Sequence, residues 1–227
     1  MRYKLTVGER LLLAGSVGVL TVIATVAGAS ASNGSSNWKL GYYNNSGRAL
    51  SMSSVPSGGA LATFDFTTPD NTALLVTTQG SDKSSLLGDD TTKSVSATAT
   101  ISGLTGAFTY YNEPDACGGT TAYVRYFFTT SKSGGFDETQ YWWSNPTSAA
   151  LTANGTVTLP TLSFAGSNWS DFYGHFGSDA LYSAGFSAAV SDVTTIGLSF
   201  GGGCFFENGV GTTDGSGTFT LNGFTVS

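Results

Sequence analysis

The residues of this chain that could do chemistry fall in three places. The first is Thr139-Gln-Tyr-Trp-Trp-Ser-Asn, where Tyr141, Trp142 and Trp143 stand side by side. Neighbours on a strand point to opposite faces, so one tryptophan is expected in the core and the other exposed or covered by a loop. An exposed tryptophan beside Tyr and Asn would offer a sugar ring a flat apolar face with hydrogen-bonding groups at its edge. The second place holds Trp169, Tyr173 and His175, which could extend that platform, although Trp169 reads better as core. His175 is the only histidine, and no G-x-S-x-G elbow accompanies it, so nothing supports a nucleophilic triad. The third is the pair of segments Asn112-Glu-Pro-Asp-Ala-Cys117 and Cys204-Phe-Phe-Glu-Asn208. If the two cysteines bond, Glu113, Asp115, Glu207 and Asn208 share one rim. Two carboxylates roughly 5–10 Å apart would suit glycoside hydrolysis, and oxygen-rich loops would suit calcium. A solvated polar corner without activity needs neither. No catalytic residue, metal ligand or cofactor is assigned; calcium is the one ion these loops would fit.

What must position these residues is a chain built for export. Arg2, Lys4 and Arg10 precede an apolar run from Leu11 to Val26, and Ala29-Ser30-Ala31 follows with the small-x-small pattern of a signal-peptidase site. Residues 1–31 therefore read as a secretory signal peptide, with an uncleaved anchor as the alternative, and the mature, extracellular chain starts near Ser32. Residues 32–37 read as a flexible start and 38–227 as a single domain. The only two cysteines lie in this mature part, and in an oxidising compartment Cys117 and Cys204 are expected to pair. Closing a loop of about 90 residues would stabilise the fold by roughly 4–5 kcal/mol on the chain-entropy view.

Composition excludes several partners. The net charge is −6, with nine Lys and Arg in all, three of them in the leader. So few cations cannot form a phosphate-binding stripe, which argues against nucleic acid, and an acidic surface disfavours anionic membranes beyond the signal segment. Four Trp, ten Tyr and fifteen Phe supply enough aromatic area for a packed core. The abundant Gly, Ser and Thr then read as turns and exposed strand faces.

The pattern of those strands is the fold prediction. Short apolar runs recur at 38–43, 60–66, 73–78, 94–104, 107–111, 122–130, 139–144, 156–162, 194–200 and 217–226, split by Gly, Ser, Asn and Asp. Ser94 to Ile101 alternates strictly, as a half-buried strand does. The last strand changes parity near Asn222-Gly223, which suggests a bulge. Such spacing predicts an all-β, antiparallel β-sandwich or jelly roll. One segment differs: Tyr182, Phe186, Ala189, Val190 and Val193 recur at helical spacing, with Ser178 or Asp179 available as a cap. A short helix is expected within 178–193, shortened or distorted by Gly185.

Trp169-Ser-Asp-Phe-Tyr, the run Phe186-x-x-x-Val190-x-x-Val193, the strand to Phe200 and the closing strand 217–226 together resemble the second half of laminin-B and galactose-binding-like carbohydrate-module jelly rolls. Secreted bacterial proteins without an assigned activity look most similar. The resemblance implies a sandwich whose members mostly bind, rather than cleave, polysaccharides. It also implies an Asp in the closing strand that helps hold calcium, where this chain has Asn222. The leading expectation is a secreted, non-catalytic carbohydrate-binding, lectin-like module for a polysaccharide or surface glycan. The alternatives are a structural or adhesive cell-surface protein and a secreted polysaccharide-active enzyme.

Overall fold

The structure, a computed structural model, describes residues 35–43, 50–68, 70–78, 86–110, 121–131, 137–203 and 209–227. Residues 1–31, expected to be a signal segment, and the cysteine-bearing stretches lie outside them. All ten expected strands are present, and the fold is an antiparallel β-sandwich with one α-helix among the described residues.

The larger sheet carries β1 (Ser35–Tyr43), β2 (Leu50–Pro56), β4 (Asn71–Thr77), β7 (Ala122–Thr130), β8 (Tyr141–Ser144), β11 (Trp169–Ser170) and β12 (Val193–Gly201), in the order β11-β8-β7-β12-β4-β1-β2. Three short strands extend it: β13 (Val210–Thr212) beside β4, β6 (Phe108–Tyr110) beside β13, and β9 (Ala149–Leu151) beside β7. The smaller sheet is β10-β5-β14-β3, from β3 (Ala62–Asp65), β5 (Ser94–Ser102), β10 (Gly155–Ser163) and β14 (Thr218–Val226). Strand β1 starts at Ser35, so residues 35–37, expected as part of a flexible start, are in the sheet; Ser36 Oγ donates to the Val55 carbonyl at 2.9 Å. The predicted bulge is present as a register shift between Leu221 and Gly223 where β14 pairs with β5.

Between the sheets lies a core rich in aromatic rings. Phe64 and Phe66, from β3 and the residue after it, meet Phe200 and Phe219 at centroid distances of 5.3 to 6.3 Å. At the other end Phe128, Phe164, Trp169 and Phe186 cluster, with Phe164 and Trp169 stacked at 5.0 Å. Tyr126 crosses the sandwich and donates its hydroxyl to the Pro160 carbonyl at 3.0 Å. That bond grips β10, the outer strand of the small sheet, where its pairing with β5 slips between Leu159 and Leu162 and Pro160 faces solvent.

The two sheets differ in what they turn outward. The small sheet shows hydroxyls: the registers align Thr156, Thr100, Thr220 and Thr63 in one rank across all four strands. The large sheet has a second apolar cluster on its outer face, formed by Leu74, Val76, Phe127, Tyr141, Trp143 and Phe172, with Tyr43, Leu50, Met52 and Tyr173 at its rim. Strands apolar on both faces lack the alternation of half-buried ones, and the unbroken Ala73-Leu-Leu-Val76 in β4 carries that signature.

The helix, α1 (Ser183–Val190), lies inside the expected window but starts later than the capping residues suggest. Tyr182 occupies its N-cap without a side-chain cap bond. Asp179 is used elsewhere: its Oδ2 accepts from the Phe176 amide at 3.0 Å and its carbonyl accepts from the amides of Tyr182 and Ser183. Helical packing explains Gly185. A Cβ there would stand 2.8 Å from Thr139 Cβ and Cγ2, so the helix can lie on the 3-10 turn Glu138–Gln140 only with a glycine at this position.

Candidate functional site

The Tyr141-Trp142-Trp143 run alternates faces as expected, yet neither tryptophan is exposed. Trp142 points into the sandwich, 0% exposed, edge-on to Phe186 at 4.9 Å, and its Nε1 donates to the Thr139 carbonyl at 2.7 Å. Trp143 points outward but is only 4% exposed, packed on Phe127 at 4.9 Å with Nε1 donating to Ser199 Oγ at 3.1 Å. Tyr141, on the same face, is also buried, and burial pushes its phenol up. Of the two arrangements expected for the outward tryptophan, exposed or covered, it is the covered one, so neither tryptophan offers an exposed platform. The reason is the second apolar cluster, which covers the outward face. Trp169 is core, as read, with no exposure.

Tyr173 and His175 come together at a surface corner, with two partners that the sequence reading missed. After β11 the chain turns tightly around Asp171. Its Oδ1 accepts from the amides of Tyr173 and His175, both at 2.9 Å, and its Oδ2 meets His175 Nδ1 at 3.1 Å. The backbone closes the turn: the Asp171 amide donates to the His175 carbonyl and the Gly174 amide to the Asp171 carbonyl. Gly174 has φ +86°, a left-handed conformation that favours glycine. Asp171 is wholly buried, whereas the His175 side chain is 39% exposed. A buried carboxylate facing Nδ1 sets the tautomer, since Nδ1–H donates and Nε2 is left as the acceptor of a neutral imidazole.

Tyr182, the residue before α1, lies flat on that imidazole, with ring centroids 4.0 Å apart and planes 7° apart. Its hydroxyl is 3.2 Å from His175 Nε2. Parallel rings keep the hydroxyl above the imidazole, while the Nε2 lone pair lies in the ring plane. The contact is stacking rather than an in-plane hydrogen bond. Tyr173 stands 6.3 Å from the imidazole and 5.3 Å from Phe172, which reaches Trp143 at 6.2 Å. A continuous aromatic path therefore runs from the buried outer face of the large sheet to the half-exposed Tyr173, His175 and Tyr182. Burial, and then the charges of Asp171, Glu138 and Asp179, raise the Tyr182 phenol. Leu181, 89% exposed, is next in the chain.

Tyr182, on the predicted helical stripe, does pack against the core, but the stripe does not reveal its stacking on His175, and the sequence reading gives Asp171 no role. A signal for Asp171 was present: Asp followed after two residues by Gly reads as a side-chain-capped turn. The expected site residues Glu113, Asp115, Glu207 and Asn208, and the cysteines Cys117 and Cys204, lie outside the described residues. Asn222, where the resemblance implies a calcium-binding Asp, donates its side-chain amide to Thr100 Oγ1 at 2.7 Å on the solvent face of the small sheet. It supplies no charge to a cation. Among the described residues no group of three His, Cys, Asp or Glu side chains could hold a metal ion, and no helix is long and apolar enough to cross a membrane. Comparisons with protein-family models, with curated proteins and with solved structures found no match.

Proposed function

We propose that this chain is a secreted, non-catalytic carbohydrate-binding module whose site is the corner formed by Tyr173, His175 and Tyr182. The observation that carries this reading is a half-exposed imidazole oriented by a buried carboxylate and flanked by two tyrosines. Aromatic faces stack on the C–H faces of sugars, and a fixed polar edge selects hydroxyls. The resemblance of 169–226 to carbohydrate-module jelly rolls supports the same class. Export through a signal peptide cleaved near Ala31-Ser32 belongs to the proposal. So does a Cys117–Cys204 bridge, which is supported by register: Tyr110, just before one undescribed stretch, pairs with Val210, just after the other.

The test is a glycan array followed by titration of the mature protein. Tyr173→Ala should weaken binding by about tenfold or more, the scale of losing one well-made contact, with melting temperature little changed. His175→Ala should weaken it as much and also lower the melting temperature, because it leaves the buried Asp171 Oδ2 without its partner. A folded protein that binds no glycan would sink the proposal.

A second reading, a structural or adhesive surface protein, is favoured by the rank of threonines on the small sheet. Hydroxyls on that face engage one another, Thr63 with Thr220 of the rank at 3.2 Å and, beyond it, Ser96 with Thr225 at 2.7 Å. If that face is the working surface, Thr100→Lys with Thr220→Lys should abolish cell-surface attachment, whereas Tyr173→Ala should leave it intact.

A further inference from the structure

The strands that end the two sheets differ in how well they are closed to a further strand. β6, β9 and β11 are two or three residues long, and β3 has four and ends on the charged Asp65. β10 is long, but its pairing slips beside Pro160. Shortness, charge and irregularity are the usual means of closing a sheet edge. β2 has none of them. It is seven residues long, pairs with β1 without a slip from Leu50 to Ser54, carries no charge, and has its one proline at the last position. Among the described residues no strand lies along its other side.

The side chains of β2 lean away from that open side. Gly41 of β1 stands opposite Met52, and a Cβ there would be 2.7 Å from Met52 Sδ and 3.3 Å from Leu50 Cδ1. Both side chains therefore lie back over β1, on the rim of the outer apolar cluster. On the other face Val55 is buried in the core, while Ser53 and Ser54 are exposed.

We infer that two copies of this chain join through β2, antiparallel about a two-fold axis, so that the large sheet runs through both. A second copy is the occupant that this strand suits. Two-fold pairing sets like residues near like, and an uncharged strand then opposes nothing of the same sign, although the chain as a whole carries a net charge of −6. The half-buried Leu50 and Met52 of one copy continue into those of the other along the outer face. With one open edge in each molecule, the pairing closes at two copies. One strand pair is a small interface, so the dimer should be weak and dependent on concentration.

Sedimentation of the mature protein, from low micromolar to submillimolar concentration, should show its mass rise from one chain to two. Ser53 is the middle residue of β2 and lies near the axis in any full register. Ser53→Lys and Ser53→Glu should each weaken the dimer by about tenfold or more, since like charges meet across it. Mixing the two variants should restore it. Amide exchange over residues 50–56 of the unaltered protein should slow as concentration rises, a readout that needs no variant. A monomer throughout the range overturns the inference and leaves the edge to a strand from some other chain. A dimer that either variant leaves intact or that mixing fails to restore, or exchange over 50–56 that ignores concentration, overturns it as well.

Discussion

Burial raises the carboxyl of Asp90 above the ordinary carboxylate range, against the lowering influence of Lys93, whose Nζ is 2.9 Å from Oδ1. Its other oxygen, Oδ2, is buried without a hydrogen-bond partner among the described residues. A raised folded-state pKa means that the native protein holds its proton more tightly than the unfolded chain. Asp90 therefore contributes stability as pH falls through its raised pKa, complete below the ordinary value of about 4 and lost as pH rises. Asp214 works the other way: Ser216 and Thr105 bond its carboxylate and hold it at about 2, so its contribution is lost on acidification. Melting curves of Asp90→Asn and the parent from neutral to mildly acidic pH should diverge, with the parent gaining on the variant as pH falls.

The tryptophan pair gives a second prediction at this scale. Trp142→Ala and Trp143→Ala should each destabilise by about 3–5 kcal/mol, as buried aromatic truncations do, in chemical denaturation. An unchanged midpoint for Trp143→Ala would mean that the outer face is open after all. Parity placed the two side chains on opposite faces from sequence alone. What it could not say is whether the outward face is wet, because that depends on Phe127 and Phe172, brought there by strand order and a distant loop. His175 and Tyr173 were legible as candidates; Asp171 and Tyr182 were not, since their roles exist only once the turn folds back upon α1.

Among the elements, α1 shows how one glycine can be required against its own propensity. Replacing a helical Gly by Ala ordinarily gains about 1 kcal/mol. Here the new methyl would press on Thr139, whose hydroxyl bonds Asp137 Oδ1 at 2.6 Å and so resists moving. Gly185→Ala should be net destabilising by about 1–3 kcal/mol, and Thr139→Ala in the same chain should recover part of the loss in thermal unfolding. The helix was readable from its apolar stripe, though not its start, because Asp179 serves the preceding loop instead of the helix end. The missed strands have a common cause. Strands β9, β11 and β13 are two or three residues long, too short to show a period, and β2 mixes Ser with Met and Pro, which hides its alternation.

For the whole molecule, the core joins both sheets and the first and last of the described strands: Trp38 of β1 meets Phe224 of β14 at 5.2 Å. Reducing the proposed Cys117–Cys204 bridge should then lower the melting temperature by several degrees without abolishing the fold, because a few kcal/mol is a large part of a domain's stability but not all of it. Thiol labelling of the denatured, unreduced protein should find no free cysteine; two labelled thiols would refute the bridge.

Pro160 has a consequence for how the molecule lives among copies of itself. An outer strand nine residues long, polar on one side and apolar on the other, is a ready template for growth by strand addition. Proline has no amide hydrogen to offer an incoming chain, and the slipped register around it spoils the even ladder that a neighbour would need. The Tyr126 hydroxyl holds that irregularity in place from inside the sandwich. With few charges to keep copies apart, the molecule is thus guarded against fibril-like stacking by one ring on its rim.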